Sequence, residues 1–342
     1  MGSGLHQEKI QKKLAMENIL LLDPAIGSKN LGDHIISECV HKELNFVFRG
    51  RYLLELPTQV SSFHWYQVLR NSLALRDYSQ CRLKFVGGSN VMVKDLLTHY
   101  PQWNVNLFNF KPFRGSILVG VGAGRGSSSN AYTRHIYRKM LSSEYYHSVR
   151  DERSKEYVES LGLKAINTGC VTMWALTPEH CAQIPSEKAD EVIFTLTATG
   201  GAKDKRDQMI IDALLKNYSR VFYWPQGYHD EDYLRLFDNT KGITILDPTK
   251  EAYDEFLSAH DADYVGTRLH GGVYAMRHKR RAIIIAIDER ARSINEGNRL
   301  NCVDKENLEA LEPMILSDFK TDVKMDFDAI ARWKDQFTAQ EK

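Results

Sequence analysis

The sequence holds little that would staple, anchor or charge the chain. Its five cysteines (Cys39, Cys81, Cys170, Cys181 and Cys302) are odd in number and scattered, with no Cys-x-x-Cys pair. That argues against a structural zinc or a disulfide framework and favours a reducing compartment. No apolar run approaches the roughly 20 residues a membrane-spanning helix needs, and Met1 to His6 has no signal-peptide core. The expected location is cytoplasmic. An excess of one charge is missing as well, because 45 basic side chains face 44 acidic ones. A nucleic-acid partner is therefore not expected, and any anion site has to be local. Gly-x-x-x-x-Gly-Lys-Ser/Thr is absent, which leaves a nucleoside triphosphatase unsupported. No histidine cluster asks for a metal, so neither metal nor cofactor is expected. Internal repeats and low-complexity segments are lacking too.

What is present is ordinary for a globular protein: 43% apolar, 26% charged and 10% aromatic residues. A chain of 342 residues exceeds what one core usually organises, so two domains are expected. After a polar lead-in at 8–17, Ile19 to Asp23 reads as a first parallel strand. The loop from Pro24 to Gly32 follows, with Asp33 as the expected N-cap of a helix carrying Ile35, Ile36, Cys39 and Val40. Such a loop is either a phosphate or sugar site or a tight turn. Leu83 to Gly88 and Ser116 to Gly122 read as further strands running into glycines. Trp103 to Phe113 is an aromatic-rich loop, facing an acceptor or packing between domains. Val149 ends a short strand, Arg150 stands where strand gives way to helix, and Gly162 stops that helix.

The pattern loosens between Leu176 and Lys188, where the inter-domain crossing is expected, giving domains 1–185 and 186–342. The second half restarts with strands at Glu191 to Thr197, Arg220 to Trp224 and Ile243 to Leu246, each followed by helical periodicity. An amphipathic helix after Met325 closes the chain and is expected to pack back on the first domain. Strand–helix alternation in both halves predicts an α/β protein of two Rossmann-like doubly wound domains facing a cleft.

The organising stretch is Asp263 to His278. Tyr264 and Val265 end a buried strand, and Leu269, Val273 and Met276 fall at helical spacing. Ala282 to Asp288 is a β-branched run typical of a strand buried on both faces. In such βαβ units ligands sit beyond the carboxyl ends of the strands. Arg268 and His270 stand there, beside a helix N-terminus that favours an anion. Gly271 and Gly272 would let a ligand approach the backbone. An arginine capping a neighbouring carbonyl and a packed histidine fit the same pattern.

Four stretches together resemble the polysaccharide pyruvyl transferase family: Asn30-Leu31-Gly32-Asp33, Val149-Arg150-Asp151-x-x-Ser154, Arg268-Leu269-His270, and Ala282 to Arg290. Arg281-Ala282 stands where the family has a proline, and Arg290 where it has a lysine. The resemblance implies a GT-B-like pair of Rossmann domains. It also implies transfer of a pyruvyl group from phosphoenolpyruvate, as co-substrate, to two hydroxyls of one sugar, giving a cyclic ketal and phosphate. His270 becomes the general acid, with Arg268 also in the reacting centre. Arg268 and Arg150 bind the phosphate and carboxylate, and Leu269 and Gly271 contribute at the helix start. Asn30, Gly32, Asp33 and Arg290 would face the acceptor or the cleft. That acceptor would be a polysaccharide or its precursor, and a lipid-linked one would be met at the inner face of the membrane.

The chemistry agrees with the residue types. Guanidinium groups bind phosphate and carboxylate through paired N–H donors, and histidine titrates in the range needed to supply a proton. Two other readings share the architecture: a nucleotide-sugar-dependent glycosyltransferase with Arg268 and His270 on a diphosphate, and a non-catalytic sugar-binding protein.

Overall fold

Five consecutive buried residues make strand β1 (Ile19–Asp23), as a strand covered on both faces requires. In the computed structural model β1 lies between β2 (Leu53–Pro57) and β3 (Leu83–Gly87), with β4 (Ser116–Val119) beyond β3, all parallel. Strands β5 (His147–Val149) and β6 (Ala165–Asn167) pair with each other. A parallel bridge between Val121 and Val149 ties β5 to the chain just past β4. The expected strand Ser116 to Gly122 is thus broken at Gly120, whose φ of 59° favours glycine and whose Cβ would come 2.9 Å from the Val171 amide. The described residues are 18–70, 73–98, 102–124, 129–198, 202–287 and 289–338. The polar lead-in at 8–17 lies outside them.

The second sheet is β7 (Glu191–Thr195), β8 (Arg220–Tyr223), β9 (Ile243–Ile245), β10 (Ala262–Gly266), β11 (Ala282–Ala286) and β12 (Cys302–Asp304). Its order is β12-β11-β10-β7-β8-β9, parallel throughout. Read from β9, this is the 3-2-1-4-5-6 order of a Rossmann sheet, with its topological switch point between β7 and β10. Helix Leu269–Arg277 connects β10 to β11 and rests on both through Gly272, where a Cβ would collide with Ile284 and Tyr264.

The chain divides into two units. The first takes residues up to Ser28, Ile36–Val171 and the chain from Asp326; the second takes Lys29–Ile35 and Thr172–Met325. The expected boundary at 185/186 therefore falls instead at 171/172. Residues after Thr172 are held by the second unit: Arg277 Nη1 donates to Thr172 O at 3.1 Å, and His180 Nε2 lies 2.8 Å from Met276 O. The closing helix Phe327–Thr338 groups with the first unit, where Trp333 Nε1 donates to Tyr146 O and Phe337 meets Phe85 edge-on. Trp103, Phe110 and Phe113 sit in the core of that unit, so the aromatic loop contributes packing. No helix among the described residues is long and apolar enough to cross a membrane.

Candidate active site

In the second unit, β7 and β10 pair with each other at the switch point, and their carboxyl ends carry the candidate site. Thr195 and Tyr264 hold its frame. The Tyr264 hydroxyl donates to Arg268 O at 2.7 Å and lies 2.6 Å from Thr195 Oγ1, which also accepts the Arg268 amide at 3.3 Å. This fixes the residue preceding the helix. Gly272 N closes the first helical bond onto Arg268 O, so the amides of Leu269, His270 and Gly271 have no intrahelical acceptor. They form the positive end of the helix dipole.

The Arg268 side chain donates from Nε and Nη2 to Asp230, at 3.1 Å for Nε and 2.5 and 2.7 Å for Nη2. Asp230 is only 1% exposed and accepts the Gly227 amide at 2.7 Å and the Ala198 amide at 3.3 Å as well. A Cβ on Gly227 would collide with Arg268 Nη2, so glycine there makes way for the guanidinium. The Arg268 backbone serves the helix start while its side chain is oriented by a carboxylate 38 positions away in sequence. Arg268 Nη1 has no protein partner among the described residues.

The loop before the first long helix completes this site. Lys29 to Leu31 run against Gln226 to Tyr228 as a short antiparallel pair: Leu31 N donates to Gln226 O at 2.8 Å and Tyr228 N to Lys29 O at 3.0 Å. Asn30 Oδ1 accepts from Gly32 N at 3.1 Å and from Gln226 Nε2 at 2.9 Å. Asn30, not the expected Asp33, therefore caps the helix Leu31–Glu43, and Asp33 stands buried in its first turn. A Cβ on Gly32 would meet Gln226 Nε2 at 2.7 Å and His270 Nδ1 at 3.3 Å. Asn30, Gly32, Gln226 and His270 thus converge on one point, and only glycine fits at its centre. Gln226 is 2% exposed, and its Oε1 has no hydrogen-bond partner.

Gly271 differs from the expectation of close ligand approach on its Cα side. A Cβ on that side would come 2.9 Å from Gln226 Oε1 and 3.1 Å from the Tyr264 hydroxyl, and the Gly271 carbonyl accepts from the Tyr253 hydroxyl at 2.9 Å. What it offers a ligand is its amide alone.

Arg150 belongs to the first unit, directly after β5. Its side chain is buried, with Nε 3.3 Å from Asp151 Oδ2. Asp151 caps the helix Glu152–Ser160 by accepting the Ser154 amide at 2.7 Å.

A model of the family described as polysaccharide pyruvyl transferase matches residues 30–289, from the Asn30 loop to just past β11. The chain belongs to that family. Among solved structures it is similar to Methanocaldococcus jannaschii UDP-GlcNAc 2-epimerase, at TM-score 0.51 and 15% identity over 94% of this chain and 99% of that one. The Escherichia coli heptosyltransferase WaaC gives TM-score 0.34 and 8% identity over 87% and 99% of the two chains. The epimerase likeness is one of fold, GT-B-like. No curated protein matches the chain.

Of the residues singled out from the sequence of this pyruvyl transferase family member, Asn30, Gly32, Arg268, Leu269, His270 and Gly271 come together in the second unit. Arg290 lies in the helix Glu289–Asn298, and its side chain is outside the described residues. Two members of the site gave no sequence signal as single residues: Asp230, four positions past the turn Pro225-Gln226, and Gln226 itself. One group among the described residues could ligate a metal, Asp23, His41 and Glu55, with ligand atoms within 4.8 Å. These atoms have protein partners already. Asp23 accepts from Ala25 N and Ser37 Oγ, and His41 lies 2.8 Å from Glu55.

Proposed function

We propose that the protein transfers the pyruvyl group of phosphoenolpyruvate to two hydroxyls of one sugar in a polysaccharide or its precursor, forming a cyclic ketal and releasing phosphate. The observation that carries this reading is the convergence of a side-on-held arginine, a helix N-terminus and His270 at the switch point of a Rossmann sheet. The phosphate of the donor would lie against the amides of Leu269 to Gly271, with Arg268 Nη1 donating to it. His270, as general acid, would supply a proton to C3 as the first hydroxyl adds at C2, turning the methylene into a methyl group. The second hydroxyl then attacks C2, the bond to the bridging oxygen breaks, and phosphate leaves with that oxygen protonated. The proton lost by the first hydroxyl restores the acid and that lost by the second ends on the departing phosphate oxygen, so no net proton is released.

The experiment is phosphate release from phosphoenolpyruvate over a panel of methyl galactopyranosides and methyl glycosides of N-acetylhexosamines, with mass analysis of the sugar product. A sugar gaining one pyruvylidene group per phosphate is the expected result. Calorimetry showing tight uridine-nucleotide binding and none of phosphoenolpyruvate would assign the site to a glycosyltransferase instead.

A further inference from the structure

We propose that the first unit carries a seat for a sugar hydroxyl, built from Asn90, Gly122 and Arg150. The inference rests on the pyruvyl-transfer reading and names how its acceptor is recognised. Strands β3, β4 and β5 are consecutive neighbours, and each of these residues follows the carboxyl end of one of them. Backbone bonds clamp the three segments together. Gly122 N donates to Ser89 O at 2.8 Å, Val121 N to Ser148 O at 3.3 Å, and Arg150 N to Val121 O at 3.2 Å. Ser89 reaches this position through a left-handed turn, with φ of 70° at Gly88 and 60° at Ser89.

Over Gly122 two side chains converge. A Cβ on that residue would lie 2.5 Å from both Arg150 Cζ and Asn90 Oδ1, so the missing side chain leaves the space in which they face each other. Asn90 Oδ1 is buried without a hydrogen-bond partner. Arg150 is 7% exposed, and its one side-chain bond among the described residues is the long one from Nε to Asp151. Its Nη donors therefore lack a protein acceptor there, while the asparagine oxygen lacks a donor.

A buried carbonyl oxygen left without a donor is costly unless something answers it, and the Arg150 guanidinium beside it has donors to spare. One group must accept from Arg150 and donate to Asn90. A water molecule can do this, and a carbohydrate hydroxyl replaces such a water with both bonds kept. A carboxylate or phosphate answers only the arginine and sets a second acceptor against the asparagine oxygen. The seat therefore fits the hydroxyl-bearing substrate, its oxygen accepting from one Nη and its proton directed to Asn90 Oδ1.

The test compares wild type, Asn90→Ala and Gly122→Ala. The acceptor is the methyl glycoside giving the fastest phosphate release in the panel above, and phosphoenolpyruvate affinity is measured separately by calorimetry without sugar. For Asn90→Ala the expected result is a KM for the glycoside raised about 5- to 10-fold, the range of one uncharged hydrogen bond, with phosphoenolpyruvate Kd changed less than about twofold. In Gly122→Ala the new methyl displaces the guanidinium tip and occupies the seat, so glycoside KM should rise at least as far. Unchanged glycoside KM in both variants overturns the proposal, as does a loss of phosphoenolpyruvate affinity in Asn90→Ala. Should Asn90→Ala fail to fold, Gly122→Ala decides alone. A wild-type protein that uses no glycoside with phosphoenolpyruvate refutes the pyruvyl-transfer reading itself, before any variant is made.

Discussion

Arg268 and Asp230 form a side-on ion pair in which two guanidinium nitrogens meet both carboxylate oxygens. Asp230 is nearly inaccessible and also binds two backbone amides, so it is a fixed platform and the arginine is the part that reaches outward. Removing Arg268 leaves Asp230 where water cannot replace the lost donors, and removing Asp230 leaves the partly exposed guanidinium without its anchor.

The first prediction follows from that pair. Asp230→Ala should destabilise the protein by about 3–5 kcal/mol, the usual cost of breaking a buried charge pair. Arg268→Ala should cost less, because Asp230 keeps the Gly227 and Ala198 amides. The two losses should be strongly non-additive in a double-mutant cycle read by urea unfolding, since each single variant forfeits the same pair. Simple additivity would mean the two residues act independently, contrary to the geometry.

His270 separates chemistry from binding. His270→Ala should lower phosphate release ~100- to 10,000-fold, the range for loss of a general acid. Phosphoenolpyruvate should still bind, because the helix amides and Arg268 remain. Arg268→Ala should instead weaken donor binding, by roughly 1.5–3 kcal/mol for a charge-assisted bond. Arg268→Lys should restore only part of it, because an ammonium cannot keep two nitrogens on Asp230 and a third on the ligand. Calorimetry beside phosphate release distinguishes these outcomes, and near-normal turnover in His270→Ala would place the acid elsewhere.

A third expectation concerns pH. Burial pushes His147 down to about 4 from its ordinary 6.5, against a smaller opposing effect of its bond to Ser142 O. Its Nδ1 accepts from Leu118 N at 3.2 Å, so Nε2 carries the proton and donates to Ser142 O at 2.9 Å. Between the two values the unfolded chain binds more protons than the folded one. Stability is therefore complete above about 6.5 and falls as pH drops towards 4. Over that window this one residue should account for about 3 kcal/mol, at about 1.4 kcal/mol for each pH unit. His147→Gln, which keeps a donor and an acceptor without titrating, should flatten the curve of unfolding free energy against pH. A slope equal to wild type would show that other groups govern acid unfolding.

Arg281, at the entry to β11, is a buried charge that binds several elements at once. Only 1% exposed, it binds Asp263 at 2.5 Å through Nη1 and the carbonyls of Met314, Ile315 and Ser317 at 3.1, 3.0 and 2.8 Å through Nη2. It thereby ties β11 to the end of the helix Leu311–Leu316 and to β10. Arg281→Ala leaves Asp263 buried with the Tyr218 hydroxyl and the Ala189 amide as its remaining donors, and should cost about 3–5 kcal/mol in chemical denaturation. Arg281→Lys should recover less than half of that, because one ammonium cannot span the carboxylate and three carbonyls. Full recovery would reduce the role of Arg281 to charge alone.

By itself the sequence determined the elements whose signal is local. β1 and β11 are nearly unbroken apolar runs, and β3, β7 and β10 are mostly apolar stretches holding Lys84, Glu191 and Asp263; such runs report burial on both faces wherever they fall. Arg268-Leu269-His270 was legible for the same reason, since a strand end followed by helical spacing fixes what stands at the junction. Three strands were not legible. β2 is half-exposed at a sheet edge and ends in Pro57, while β6 and β12 have three residues each, too few for a period to emerge. The tertiary structure alone decided which residues meet at the site. Asn30 and Gln226 are 196 positions apart and share a hydrogen bond, and Asp230, which follows β8, finds Arg268, which follows β10, only because β8, β7 and β10 are consecutive in the sheet. Pairing between strands distant in the chain is set by the packing of whole layers, and no local window of sequence carries it.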